Sequence, residues 1–140
     1  MRDRLFVDVG DRDLYNQLDQ KEPMLKGKRR EQFLLAAAIG FRNGVHRPLE
    51  KREGGGFFLS KDLKTEDRAL IDALALSHQG TSDVLADEDR VFSIAEEYAH
   101  AGVHLLAQME ASTPLAGSFD KRFEQEIMEL YEEFTTGGQK

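Results

Sequence analysis

The chain has 140 residues, 40% of them hydrophobic and 32% charged, with a formal net charge of −7 and no cysteine. Such a length fits one domain around a single core, and the composition is that of a folded protein with well-solvated faces. The lack of cysteine excludes disulfides, thiolate catalysis and Cys-ligated zinc. No stretch reaches the ~20 apolar residues of a membrane span and none reads as a signal peptide, so a cytoplasmic protein is expected.

The net charge hides a split. Residues 1–64 carry 14 Lys+Arg against 10 Asp+Glu, and residues 65–140 carry 5 against 16. An acidic half suits solubility or a basic partner. A basic half suits an anion or an acidic surface, unless the two halves complement each other within the fold.

In chain order, Leu5-Phe6-Val7-Asp8-Val9 is a short β-prone run stopped by Gly10. Asp11 is placed to cap a short helix burying Leu14 and Leu18, which Pro23 and Gly27 end. Phe33 to Phe41, FLLAAAIGF, is free of charged and strongly polar side chains over nine residues. Rich in Ala and Leu, it predicts a helix apolar almost all round and therefore central, closed by Asn43-Gly44. Residues 45–60 contain Pro48, Gly54-Gly55-Gly56 and the β-prone Phe57-Phe58-Leu59. They predict a two-stranded ribbon with the glycines at its tip, able to add to the Leu5–Val9 strand.

Thr65-Glu66-Asp67 opens the next helix, with Leu70, Ile71, Leu74 and Ala75 on one face and Gly80 as its stop, and Ser82 to Leu85 form one further turn. A long amphipathic helix follows over about Asp87 to Glu110. Its stripe is Val91, Ile94, Ala95, Tyr98, Gly102, Leu105, Leu106 and Met109. Gly102 inside that stripe predicts close approach by another helix. After Pro114, Ser118 is expected to cap a last acidic helix with Phe119, Phe123, Ile127, Leu130 and Phe134 on one face, and residues 137–140 are expected to form a frayed, disordered tail. The fold class is mainly α, a single-domain helical bundle (1–136) of four or five helices with a small β-ribbon at about 45–60.

Glu97, His100 and His104 have metal-ligand spacing on one helix. They fall opposite the apolar stripe, and HAGVH has Gly where a zincin needs its general base, so they read as solvated residues with no stoichiometric metal. A metal-dependent hydrolase is therefore the least supported function. His46 and His78 read as surface or cap residues. Ser60 and Ser77 lie in no nucleophile elbow, and the triple glycine is not a P-loop. No catalytic residue and no cofactor is predicted.

The basic positions carry more. Lys28, Arg29 and Arg30 precede the central helix, where cations oppose the macrodipole by ~0.3–1 kcal/mol each unless an anion joins them. Arg42, Arg47, Lys51 and Arg52 flank the ribbon, with Glu50 and Glu53 interspersed. These seven cations are the candidate partner- or phosphate-binding set. They fit an acidic protein surface or a nucleic-acid backbone, and the sequence pI of about 5.1 weighs against a free-standing DNA binder.

Three segments, RDRLFVDVGDRDLYNQL, then FLLAAAIGFRNG with HRPLEKREGGGFFLS, then DVLADEDRVFSIAEEYAHAGVHLL, resemble a family. It is that of the small DNA phosphorothioation-associated (Dnd system-associated) proteins, type four. The likeness runs from about Arg2 to Leu106, and AAAIGF-RNG, PLEKREGG and AEEYA-x-x-G are its most specific parts. The resemblance implies an accessory member of a bacterial system that replaces a backbone phosphate oxygen with sulfur, or that restricts unmodified DNA. It implies no catalytic residues, and a chain without cysteine carries no persulfide. The expected function is a non-enzymatic adaptor contacting other Dnd-system proteins, with direct DNA-backbone contact through 28–30 and 42–52 as the alternative.

Overall fold

Ala and Leu at the centre of Arg29–Arg42 favour a helix, and the absence of a polar stripe leaves it no face for water. This helix, α2, accordingly buries nine consecutive residues, Gln32 to Gly40. The computed structural model describes residues 2–22 and 25–112. Around α2 are arranged β1 (Arg4–Leu5), α1 (Arg12–Lys21), β2 (Phe58–Leu59), α3 (Thr65–Gln79) and α4 (Glu88–Ser112). Short 3-10 turns at Val9–Asp11, Ser60–Asp62 and Ser82–Ala86 link them. The fold is mainly α with a small antiparallel ribbon, as expected. The anticipated helix from Ser118, with Phe123 and Leu130, and the tail at 137–140 lie outside the described residues.

The core is one cluster. Tyr15 and Leu18 of α1, Leu70, Ile71, Leu74 and Ala75 of α3, and Val91, Phe92, Ile94, Ala95, Ala99, Val103 and Leu106 of α4 share this cluster with the apolar residues of α2, and α1 and α3 pack chiefly against α4. Gln32 is the buried polar residue of α2, and its amide is satisfied. It donates to Leu25 O at 2.7 Å and Asp19 Oδ1 at 3.0 Å, and accepts from Arg29 at 3.0 Å. Leu105 is only half-buried, at the margin of the stripe in which the sequence placed it.

The closest packing is α2 against α4. A Cβ on Gly102 would overlap the carbonyl oxygen of Ala36 and lie 2.7 Å from Gly40 N. A Cβ on Gly40 would overlap the carbonyl oxygen of Tyr98. Two backbones therefore meet directly, with Ala36 and Gly40 one turn apart on one helix and Tyr98 and Gly102 one turn apart on the other.

The ribbon differs from the expected hairpin. Residues 51–60 pair with the N-terminal segment, not with one another. Arg4 faces Leu59 and Leu5 faces Phe58 in the ladder, and Asp8 faces Arg52 in a separate bridge. Backbone bonds continue the pairing: Ser60 N to Asp3 O at 2.9 Å, Glu53 N to Val7 O at 2.9 Å and Val9 N to Lys51 O at 2.8 Å. Two residues separate Leu5 from Asp8 while five separate Arg52 from Phe58, so one strand carries three extra residues. Gly54-Gly55-Gly56 absorb that excess as a bulge inside the ribbon instead of forming its tip. Gly55 at φ 89° and Gly56 at φ 80° take the left-handed backbone the bulge needs.

The helix contact yields a direct test. Gly102→Ala should destabilise the fold by about 3 kcal/mol or more, at or above the upper end of ordinary overpacking, because backbone must move. Gly54→Ala, where an added Cβ meets nothing within 4 Å, should change stability by under ~1 kcal/mol. Urea denaturation of both variants measures the contrast, and equal midpoints would contradict the packing.

Candidate functional site

The N-terminal segment lies along α4 and covers side chains that a helical wheel assigns to water. Glu96 is 2% exposed. Its carboxylate accepts from Arg2 and, at 2.6 Å, from the backbone N–H of Phe6. Arg52 stands 3.8 Å away. The Arg2 guanidinium sits between the rings of Phe6 and Phe92, with Arg52 also over Phe6 at 5.0 Å. Burial pushes the Glu96 carboxyl up, and the Arg2 charge and Phe6 N–H offset only part of that.

Asp8 organises the ribbon's far end. One carboxylate oxygen accepts from the N–H groups of Glu50 at 2.7 Å and Lys51 at 3.1 Å, and the other accepts from Gly10 N–H at 2.9 Å. Burial alone would raise its pKa, but these three donors together outweigh it and hold the carboxyl below the ordinary aspartate value. Residues 50–51 are thereby fixed to the N-terminal segment. Arg47 N–H, donating to Glu97 O at 3.0 Å, fixes the same stretch to α4.

One turn further on, Asp11 is 1% exposed. Its Oδ2 meets His100 Nδ1 at 2.5 Å and its Oδ1 meets His104 Nε2 at 2.9 Å. His100 is 5% exposed, which overturns the expectation of a solvated residue. The periodicity located α4's apolar stripe correctly, but the Val9–Asp11 turn covers the opposite face as well. The helix cap expected of Asp11 is also absent: it occupies the N-cap position of α1 without a side-chain cap bond. Both its oxygens are committed to the histidines. Glu97 does not join them. It is turned to His46, at 3.6 Å, and Arg90, at 3.8 Å. So the trio read from spacing is not assembled, and Asp11, some ninety residues away in sequence, stands in the place of Glu97.

His46 and His78 meet each other, ring centroids 4.8 Å apart. His78 Nδ1 is 2.9 Å from the hydroxyl of Tyr98. Burial, then the His46 and Arg90 charges, lower the His78 pKa.

The seven candidate cations divide by role. Arg29 binds Asn16 Oδ1 at 2.7 Å and stacks over Phe57 at 5.1 Å. Arg30 pairs with Asp67 at 3.2 Å and donates to Asp62 O at 3.1 Å. These two tie the start of α2 to α1 and α3, and neither is an open probe. Lys28 is exposed, with Glu31 3.9 Å away. Arg42 is exposed at the far end of α2, about 20 Å from Arg29 at 1.5 Å per residue. Arg47 and Lys51 are exposed, and Arg52 is 49% exposed along its side chain despite its contact with Glu96. The structure thus separates 28–30 from 42–52. Only the second group presents several outward cations on one pinned segment.

A family model described as DNA sulphur modification system-associated protein 4 matches residues 11–114, the greater part of the chain. No curated protein and no solved structure matches significantly. Among the described residues no helix is long and apolar enough to cross a membrane.

The role of Asp8 is testable through pH. A carboxylate with a depressed folded pKa adds stability that is present above its unfolded pKa and lost as pH falls through the folded value. Asp8 should therefore contribute fully above about pH 4 and lose its contribution at lower pH. Asp8→Ala should cost about 2–3 kcal/mol at neutral pH by stranding three N–H donors. The gap between the two proteins should narrow below pH 4. Denaturation midpoints at pH 7 and pH 3 measure it, and a gap that widens in acid would contradict the assignment.

Proposed function

The chain belongs to the DNA sulphur modification system-associated protein 4 family, and from that premise we propose that it is a non-enzymatic accessory protein of the system. It acts as an adaptor, docking on an acidic surface of another component through Arg47, Lys51 and Arg52, with Arg42, exposed at the end of α2, as a further cation. The observation that carries this reading is the cationic segment itself. It is irregular, yet it is held by Asp8 on one side and by the Glu97 carbonyl on the other. Arg47 and Lys51 are exposed on it, and Arg52 half-exposed, although the chain as a whole is acidic. A pinned segment loses little conformational entropy on docking, which favours a defined partner over diffuse attraction.

Direct contact with the DNA backbone is the second reading, favoured by the exposure of Lys28, Arg42, Arg47 and Lys51. It is weakened by the engagement of Arg29 and Arg30 within the fold, and by Glu50 and Glu53 among the remaining cations. A hydrolase built on Glu97, His100 and His104 has no support from geometry, since Glu97 faces away from the histidines.

Arg47→Ala/Lys51→Ala removes two outward charges without touching the Glu96 network, and should leave the fold intact. Co-purification with the other components of the native system should fall at least tenfold. Adding Arg52→Ala should complete the loss at some cost in stability. The isolated wild type should bind duplex DNA only at the non-specific level of ~10⁻⁴–10⁻⁶ M near physiological salt. Tighter binding by the protein alone would replace the adaptor reading with the DNA reading. The double variant should then flatten the slope of log K against log salt by up to ~0.9 per lost phosphate contact.

A further inference from the structure

We propose that Asp11, His100 and His104 form a binding site for one divalent transition-metal ion of the zinc class, open on the His104 side. The donor atoms of the three residues lie within 4.8 Å of one another. Two come from adjacent turns of α4 and one from the turn that crosses it, so the donors converge from two elements fixed against each other.

The surroundings are those of a cation site. The Asp11 carboxylate is 1% exposed and has no lysine, arginine or backbone N–H bonded to it among the described residues; its partners are the two imidazoles. A buried carboxylate is stable only when its charge is compensated. Elsewhere the chain does this in the ordinary ways, with Arg2 at Glu96 and three N–H groups at Asp8. At Asp11 it supplies imidazole nitrogens instead. Asp13, two residues on, is exposed, and Asp8, three residues before, is committed to its own three donors, which leaves the ligand set at three.

The geometry is within reach of coordination. Donors 2.0–2.2 Å from a common ion lie roughly 3–3.5 Å apart at tetrahedral angles. The 2.5 Å and 2.9 Å separations would have to open by about an ångström or less, and the donor set, which now spans up to 4.8 Å, would have to close by a little more than an ångström. The two ring nitrogens that now face the carboxylate are the ones that would ligate. Each imidazole then carries its proton on the other nitrogen, as metal-bound histidine does. Two imidazoles and one carboxylate favour zinc and its neighbours over magnesium or calcium, which take oxygen donors. His104, with its side chain 42% exposed, gives the ion a path from solvent. Three protein donors also leave a fourth position for water or an added ligand.

The test uses the full chain without an affinity tag, stripped with EDTA and titrated with Zn²⁺ by calorimetry. Co²⁺ serves as a spectroscopic reporter of nitrogen and oxygen donors. One ion per chain should bind, and the melting temperature should rise with Zn²⁺ and fall back with EDTA. His104→Ala changes a half-exposed side chain and should keep the fold while weakening Zn²⁺ at least tenfold. Asp11→Asn should do the same while retaining hydrogen-bonding capacity toward the histidines. His46→Ala/His78→Ala should leave the affinity unchanged. Less than a tenth of an equivalent bound to the wild type would overturn the proposal. So would equal affinity in His104→Ala, or loss of binding in the His46/His78 variant, which would place the ion at that other pair.

Discussion

Everything in this fold is referred to one contact, the meeting of α2 and α4 at Ala36, Gly40, Tyr98 and Gly102. With no side chain at two of these positions, carbonyl oxygens of each helix reach the backbone of the other. That closeness makes the rest geometrically necessary. Two helices so near have little room between them for large side chains, which explains the alanines of α2. The larger residues, Phe33, Leu35 and Ile39 on α2 and Phe92, Ile94 and Leu106 on α4, turn sideways and are fully buried by the elements laid around the pair. α3 and the N-terminal segment are the packing these flanks require.

In that position α4 keeps only a narrow, partly exposed edge along Ser93, Glu97, His104 and Gln108, and the consequences fall on its other polar residues. Glu96 and His100 are one turn apart on the side of α4 away from α2. Each is met by a residue from the chain's first eleven, Arg2 for one and Asp11 for the other. The covering segment is held by ion pairs and hydrogen bonds where the opposite face is held by apolar packing. Such contacts add less net stability than apolar burial, because desolvation offsets most of the attraction. They do dictate register: sliding the segment by one residue would strand a buried carboxylate.

Much of this was legible in the sequence. FLLAAAIGF announced a buried helix, Gly102 announced a close neighbour, and the helix stops at Asn43-Gly44 and Gly80 came from local backbone chemistry that needs no tertiary context. Gly44 at φ 66° and Gly80 at φ 80° bear that out. What was not legible is what depends on contacts distant in sequence. Periodicity describes one helix against an average interior and cannot say that a second layer covers its polar side, so His100 read as solvated. Spacing supplied Glu97 as the third member of the histidine group, since it is near in sequence. The true neighbour, Asp11, is near only once the chain is folded. The one available signal was complementarity of order, Arg2 and Asp11 matching Glu96 and His100 in the same direction. For the ribbon, composition marked the glycines as special, but only the three-residue difference in register reveals a bulge. Of the seven cations, charge alone could not separate Arg29 and Arg30, used inside the fold, from Arg47 and Lys51, left outside.

The same N-terminal segment also links the two surfaces on which function is argued. Asp8 fixes residues 50–51 and hence the cationic stretch, and Asp11, three residues later, holds both histidines. Between them runs a single tight turn in which Asp11 N–H donates to Asp8 O at 2.9 Å and Gly10 N–H donates to the Asp8 carboxylate. The turn is braced on both sides, by a backbone bond from Val9 N–H to Lys51 O and by the imidazoles of α4. The histidines and Lys51 are thus joined through one turn of backbone that does not pass through the apolar core. The core formed by α2 and α4 is closed by direct backbone contact. The turn that crosses it is held by polar contacts, which ions, protons and charged partners can each alter.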